Sequence, residues 1–514
     1  MDIEILNEIR KKGLLLEKDV LELLEGFGNS NVAKEFLEQI ERISGERMIT
    51  KKVLSKNVEY VRGFVGKLGE NEKSGVEKII INLGLTLEVK REILEKTEEK
   101  KEQHYKIFYA NTLPDKKLEV KDFVGNFRSR YQQLQRILMG CLELQNNLVA
   151  INKIGSDRSS LSIIGIVSEK RITKNNNLMI SFEDLTGRIK VLVKPDKKEI
   201  WKKADELQLD DIVGVKASGN RDILFAQDIF YPDAFIYEKT KFDNECCAAF
   251  LSDIHVGSDR HLGKNFERFL SWINSDDEIV KKIKYVFFVG DNVDGVGIFP
   301  GQEGFLELKS MNEQYDLLAS YLRRVPKRIT MFMCPGQHDA VRVAEPQPII
   351  SRKYARELYE IDNLVLVTNP TLVKLEDGAK EFKVLMYHGA SLHNIINEIK
   401  ELREMKAHRY PAKAVEHLLK RRHLAPTHSE NTYIPNAEKD ALVIEEVPDV
   451  LCIGEMHRSD ISNYHGILII TGSCWQAQTP FEEKVGNVPD PCKVPVLNLK
   501  TRELKVFDFT AEEE

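Results

Sequence analysis

Between residues 248 and 457 the chain repeats one device: a short apolar run that stops at residues able to hold a metal. The stops are Asp253-Ile254-His255, Gly290-Asp291-Asn292-Val293-Asp294, Gly336-Gln337-His338-Asp339, Tyr387-His388-Gly389 and Gly454-Glu455-Met456-His457. Apolar runs of this length are strand-sized. They predict strands at Ala248–Leu251, Tyr285–Val289, Ile329–Met333, Leu364–Val367, Lys383–Tyr387, Val450–Ile453 and Ile467–Thr471. Strands alternating with helical segments give a layered α/β domain over residues 241–512. A single Asp-x-His is far more often a loop or cap than a ligand pair. Five such stops in order gather histidines and carboxylates at one sheet edge, a natural cage for two divalent cations roughly 3.5–4 Å apart. That arrangement supports phosphoester hydrolysis without a side-chain nucleophile.

Upstream, residues 146–240 read as a five-stranded OB-type β-barrel. Its predicted strands are Ser162–Val167, Leu178–Phe182, Arg188–Val193, Ile212–Ala217 and Ile223–Asp228, with a helix at Lys197–Ala204. Such barrels often bind single strands, but aromatics are few here, and a purely structural barrel fits as well. Residues 1–95 read as a helical module. Ser30 caps a helix carrying Val32, Phe36, Ile40 and Ile43, and a second helix lies near Leu87–Leu94. Residues 96–145 read as linker and helix. Glu95–Gln103 is too charged to bury surface, and Phe123, Phe127, Tyr131, Leu134 and Leu138 then form a helical packing stripe.

At 514 residues, 42% of them hydrophobic, the chain has material for several domains. Lysine and arginine number 75 against 81 acids, a net charge of −6 that excludes a wholly basic nucleic-acid coat and leaves a local basic groove open. No apolar run approaches a membrane span, and Met1-Asp2-Ile3-Glu4 is no signal peptide, so a cytoplasmic protein with no membrane partner is expected. Seven cysteines without a CxxC pair argue against a disulfide framework; Cys334 and Cys452 read as buried thiols. Gly257 to Lys264 is one residue too long for a phosphate loop, and Gly295-x-Gly297-x-x-x-Gly301 misses dinucleotide spacing. Lys420-Arg421-Arg422 reads as a solvated helix face, with DNA phosphate contact as the other reading.

The order of the five stops resembles the calcineurin-like metallophosphoesterases. Within them the chain resembles the small subunits of archaeal D-family DNA polymerases. That match rests on Gly295-Val296-Gly297-Ile298-Phe299-Pro300-Gly301-Gln302-Glu303, Glu345-Pro346-Gln347-Pro348, Arg421-Arg422-His423-Leu424-Ala425-Pro426 and Gly472-Ser473-Cys474-Trp475-Gln476-Ala477-Gln478-Thr479. It covers roughly residues 120–510. It implies a metal-dependent 3′–5′ exonuclease that proofreads for a separate large polymerase subunit in a heterodimer, acting on DNA and above all on single-stranded 3′ ends. One metal would be held by Asp253, His255, Asp291 and His457. The second would share Asp291 and use His388, Gln337 and Glu455. His338 would be the catalytic group that contacts the phosphate and stabilises or protonates the leaving oxygen. Asp294 and Asp339 would orient ligands.

Two positions depart from the superfamily pattern, Gln337 for asparagine and Glu455 for the first histidine of Gly-His-x-His, and both fall on the second metal. Glu455 replaces a neutral nitrogen with an anionic oxygen, which favours Mn²⁺ or Mg²⁺. Three readings stay open: an exonuclease with a retuned second site, a catalytically weakened assembly subunit, and a small-molecule phosphodiesterase. The barrel and the polymerase-like segments argue against the last.

Overall fold

The computed structural model describes residues 104–113, 117–428 and 431–510, together with separate stretches between 14 and 64. Contacts divide the chain into two compact units, residues 1–101 and 102–514. In the first, the helix Ser30–Ser44 buries Ala33, Phe36, Leu37 and Ile40, and the strands Leu15–Leu16 and Met48–Ile49 pair in parallel. The stripe is thus turned from the predicted one: Ile43 is exposed, because Ala33 and Leu37 flank Phe36 and Ile40 on the inward face. The Ser30 side chain, the predicted helix near Leu87–Leu94 and the linker Glu95–Gln103 lie outside the described residues.

The second unit opens with a strand, Tyr105–Tyr109, inside the segment read as linker and helix. The expected helix follows at Val120–Leu138 and buries Tyr131, Leu134 and Leu138. Next comes a closed five-stranded barrel of Ser159–Ile172, Leu178–Glu183, Arg188–Val193, Ile212–Gly219 and Leu224–Phe230, with the helix Lys198–Asp205 after the third strand. Third and fifth strands pair in parallel, and the first closes on the fourth.

The remainder is built on two six-stranded sheets. One runs, in spatial order, Leu364–Leu366, Thr330–Cys334, Ile283–Val289, Cys247–Leu251, Lys493–Asn498, Leu504–Asp508. The other runs Asp460–Tyr464, Ile467–Thr471, Val450–Ile453, Lys380–Tyr387, Thr371–Asp377, Tyr105–Tyr109. Alternation explains how they stack. In Ile283–Val289, the side chains of Tyr285, Phe287 and Val289 join Val384, Met386 and Cys452 of the other sheet in a shared core. Those of Val286 and Phe288 point the other way, under the helices Gly263–Ile273 and Met311–Leu322. All seven predicted strands are present, and six of them are mostly buried on both faces and read as continuous apolar runs; the seventh, Leu364–Leu366, is a half-buried edge strand. The helices Leu392–Glu398 and Pro411–Arg421 cover the outer face of the second sheet.

Lys420-Arg421-Arg422 is neither a solvated face nor a phosphate contact. Arg421 and Arg422 are buried; the Arg421 Nε donates to Asp211 at 2.9 Å and Lys420 Nζ to Glu206 at 2.7 Å, both on the barrel. The barrel supplies carboxylates that no local pattern around residue 421 reveals. Cys334 and Cys452 are buried thiols, as expected. Among the described residues no helix is long and apolar enough to cross a membrane.

Candidate metal centre

The five stops converge at the strand ends because parallel pairing sets them side by side. Cys247–Leu251 and Thr330–Cys334 flank Ile283–Val289, and Val450–Ile453 lies beside Lys380–Tyr387. Each chain must then turn sharply. Asp253, His255, Asp291, Glu455 and His457 all adopt left-handed backbone conformations, with φ between 45° and 70°. Such conformations cost a non-glycine residue on the order of 1–3 kcal/mol and persist only where the surroundings impose them. Glycine is needed where backbones meet: a Cβ on Gly336 would lie 2.2 Å from Asp291 Oδ1.

Three groups of side chains bring ligand atoms within metal-binding reach of one another. They are Asp253, His255 and His457; Asp253, Asp291 and His388; and His255, Asp294 and His338. The Nε2 atoms of His255 and His457 face each other at 3.1 Å. Their Nδ1 atoms are held from behind, His255 by Asp294 Oδ1 at 3.1 Å and His457 by Glu482 Oε1 at 3.0 Å. His388 Nδ1 contacts the Val289 carbonyl at 3.2 Å, which turns Nε2 inward between Asp291 Oδ2 at 3.2 Å and Glu455 Oε2 at 3.1 Å. Backing of this kind fixes imidazole orientation in metal sites. Asp253 Oδ2 is buried without a hydrogen-bond partner, a costly arrangement that a cation beside it would resolve. The donor set therefore fits divalent metal.

Burial would lift the Asp291 carboxyl, but His388 and His338 beside it hold it well below the usual carboxylate range. Burial likewise opposes charge on His388, and Asp291 and Glu455 override it, raising the imidazole well above its ordinary value.

His338 donates its backbone N–H to Asp291 Oδ1 at 2.8 Å, and its Nδ1 lies 2.7 Å from the Asp294 carbonyl. Its Nε2 is left 3.9 Å from Asp291 Oδ2, inside the cavity that covers the site. Gln337 lines the same cavity. Asp339 Oδ2 accepts from Gly336 N at 2.9 Å and Asn292 Nδ2 at 3.0 Å, and so ties two stops together. Sequence reasoning missed Glu482, which sits 25 residues beyond its histidine with no motif of its own, and His393, whose Nε2 is 3.7 Å from Glu455 Oε1.

Residues 248–462 match the family model for the B-subunit of DNA polymerase alpha/epsilon. The DNA polymerase II small subunit of Methanothermobacter thermautotrophicus is 36% identical over 395 residues, covering 76% of this chain and 80% of that protein. That of Thermoplasma acidophilum is 34% identical over 406 residues, covering 78% and 81%. This chain belongs to the archaeal DNA polymerase II small-subunit family. The Pyrococcus furiosus member is 38% identical over 403 residues, 76% of this chain, of which the chain spans 64%. A solved archaeal phosphodiesterase aligns with 51% of this chain and 98% of its own at 12% identity, with a TM-score of 0.25 that is too low to show a shared fold.

Proposed function

We propose that this chain is a metal-dependent 3′–5′ exodeoxyribonuclease, the proofreading subunit of a heterodimeric replicative polymerase whose large subunit polymerises. The observation that carries the reading is the meeting of two ligand groups at buried Asp253, which gathers with His255 and His457 on one side and with Asp291 and His388 on the other. One metal would be held by Asp253, His255, Asp291 and His457, the other by Asp291, His388, Glu455 and Gln337, in a domain of calcineurin-like type. Bound divalent cations, Mn²⁺ or Mg²⁺, would supply a nucleophile at neutral pH and neutralise charge on the phosphoryl group. Around them the chain orients and excludes. Asp294 and Glu482 fix the tautomers of His255 and His457, and Asp339 locks the strand-end turns. His338, anchored through Nδ1, presents Nε2 to donate a proton or hydrogen bond to the leaving oxygen. The five-stranded barrel, with its third and fifth strands parallel, supports the OB-type reading.

The test is Mn²⁺-dependent nucleotide release from single-stranded DNA labelled at either end, with Asp291→Ala beside the parent chain. Release from the 3′ end, lost in the variant, is expected. No release by the chain, alone or with the large subunit, would favour the weakened assembly subunit.

A further inference from the structure

The candidate metal centre lies at the floor of a cavity of about 1300 Å³, larger than the usual site for one small molecule. Its lining has two chemistries. One part is basic. The segment after the helix Leu392–Glu398 brings Arg403, Lys406 and Arg409 to the cavity, and Arg458 follows directly on His457. Arg458 also laces the mouth together, donating to the Arg409 carbonyl at 3.1 Å and the Val488 carbonyl at 2.8 Å. Arg403 donates to the Glu398 carbonyl at 3.0 Å. None of these four cations has a carboxylate partner among the described residues. The nearby acids are engaged elsewhere, Glu401 with Lys202 at 3.6 Å and Glu404 with Lys400 at 3.8 Å. In a chain of net charge −6, four unneutralised cations at one cavity mouth are a selective concentration of charge.

Another part of the lining is aromatic. Phe299 and Phe305 line the cavity, stand 44% and 41% exposed, and hold their ring centroids 6.4 Å apart. Exposed rings beside a polar site offer flat apolar faces on which planar groups can stack. A polyanion bearing flat rings satisfies both parts at once.

We propose that Arg403, Lys406, Arg409 and Arg458 form a phosphate track and that Phe299 and Phe305 stack bases, so the cavity threads a single strand of DNA toward the metals. The proposal rests on the exonuclease reading for its direction, though not for the binding itself. A duplex cannot offer its base faces to the phenylalanines, because they are stacked inside it. The track therefore selects unpaired ends.

The experiment measures oligo(dT) binding by fluorescence anisotropy, in chelator, over a series of salt concentrations. For single strands the logarithm of affinity falls with log salt by about 0.7 for each phosphate neutralised. The double substitution Lys406→Ala/Arg409→Ala should flatten the slope by about 1.4. Phe299→Ala should weaken binding about tenfold while leaving the slope in place. Lys500→Ala, at a surface turn, is the control for general charge and should match the parent chain. An unchanged slope in the double variant, or equal affinity for duplex and single strand, overturns the proposal. Hydrolysis of bis(p-nitrophenyl) phosphate by the parent chain in Mn²⁺ reads the metal centre separately. Diester hydrolysis without track-dependent DNA binding sinks this inference and leaves the phosphodiesterase reading standing. Track-dependent binding without hydrolysis of either substrate does the reverse.

Discussion

Gly336 packs directly against two candidate ligands, and Gly336→Ala tests whether that closeness matters. Gly336 does not adopt a left-handed φ, so alanine suits its backbone, and only space is at issue. A Cβ there would lie 2.2 Å from Asp291 Oδ1, 2.4 Å from Asp291 N and 2.8 Å from His388 Nε2, where ordinary contact begins at 3.4 Å. Something must yield by about 1 Å. The Gly336 side is pinned by its N–H to Asp339 Oδ2, so the Asp291 carboxylate and the His388 ring are the groups displaced. A displacement of that size at a reacting centre costs about 100-fold in rate. Overpacking by one methyl costs about 1–3 kcal/mol in stability. A unit of this size unfolds with an entropy of about 0.9 kcal/mol per degree, so the melting temperature should fall only about 1–3 °C. Mn²⁺-dependent diester hydrolysis, Mn²⁺ titration calorimetry and thermal melts read the three quantities. Activity within about threefold of the parent with unchanged Mn²⁺ affinity would refute the idea that Gly336 keeps the shared carboxylate in place.

Three further outcomes are expected. Asp440 accepts from Arg130 Nε at 2.7 Å, His423 Nε2 at 3.2 Å and Asn126 Nδ2 at 3.2 Å, joining the helix Val120–Leu138 to the segment after Arg421. Asp440→Ala strands the buried Arg130 charge and should cost about 3–5 kcal/mol, about 3–6 °C in melting temperature, which Arg130→Met/Asp440→Leu should largely restore. Glu206 is half-buried, which raises its carboxyl, but His417 and Lys420 outweigh that burial and bring it down to about 2. Its folded value is thus depressed, so its contribution is complete above the usual carboxyl value of 4.5 and is lost as pH falls toward 2. Urea midpoints should drop across that window by on the order of 2 kcal/mol, and Glu206→Gln should flatten the drop. Glu482→Gln keeps a carboxamide oxygen near His457 but removes the charge behind it, and calorimetry should find Mn²⁺ bound about 10–100-fold more weakly.

The doubly buried strands were legible because both faces are apolar, and a short unbroken apolar run fits little else. Several strands that escaped notice have one exposed face or lie at an edge, although Lys493–Asn498, interior and largely buried, escaped as well. Thr371–Asp377 alternates buried Val373 and Leu375 with Lys374 and Glu376, and Tyr105–Tyr109 sits at a sheet edge beyond a highly charged stretch. Leu504–Asp508 has charged neighbours and pairs only with Lys493–Asn498. Their conformation is set by partners far away in the chain rather than by their own composition. Arg421 shows the same limit in a side chain. Three adjacent cations look solvated until the barrel carboxylates, 210 positions earlier, are brought against them.

The candidate ligands were legible for a different reason. Each sits directly after a strand, so local sequence fixes its position, and parallel pairing then does the gathering. What no sequence pattern conveys is the cost of the turns. Asp253, His255, Asp291, Glu455 and His457 hold left-handed backbones although none is glycine, and only the ionisable side chain gives a reason to keep those residue types there. The two departures from the superfamily pattern divide on this point. Gln337 carries no left-handed backbone, whereas Glu455, at a φ of 70°, does, and it aims Oε2 at His388. A chain kept only to assemble a polymerase would gain stability by relaxing that turn with glycine. A strained glutamate in contact with an inward-facing imidazole is the arrangement that the proposed second site requires.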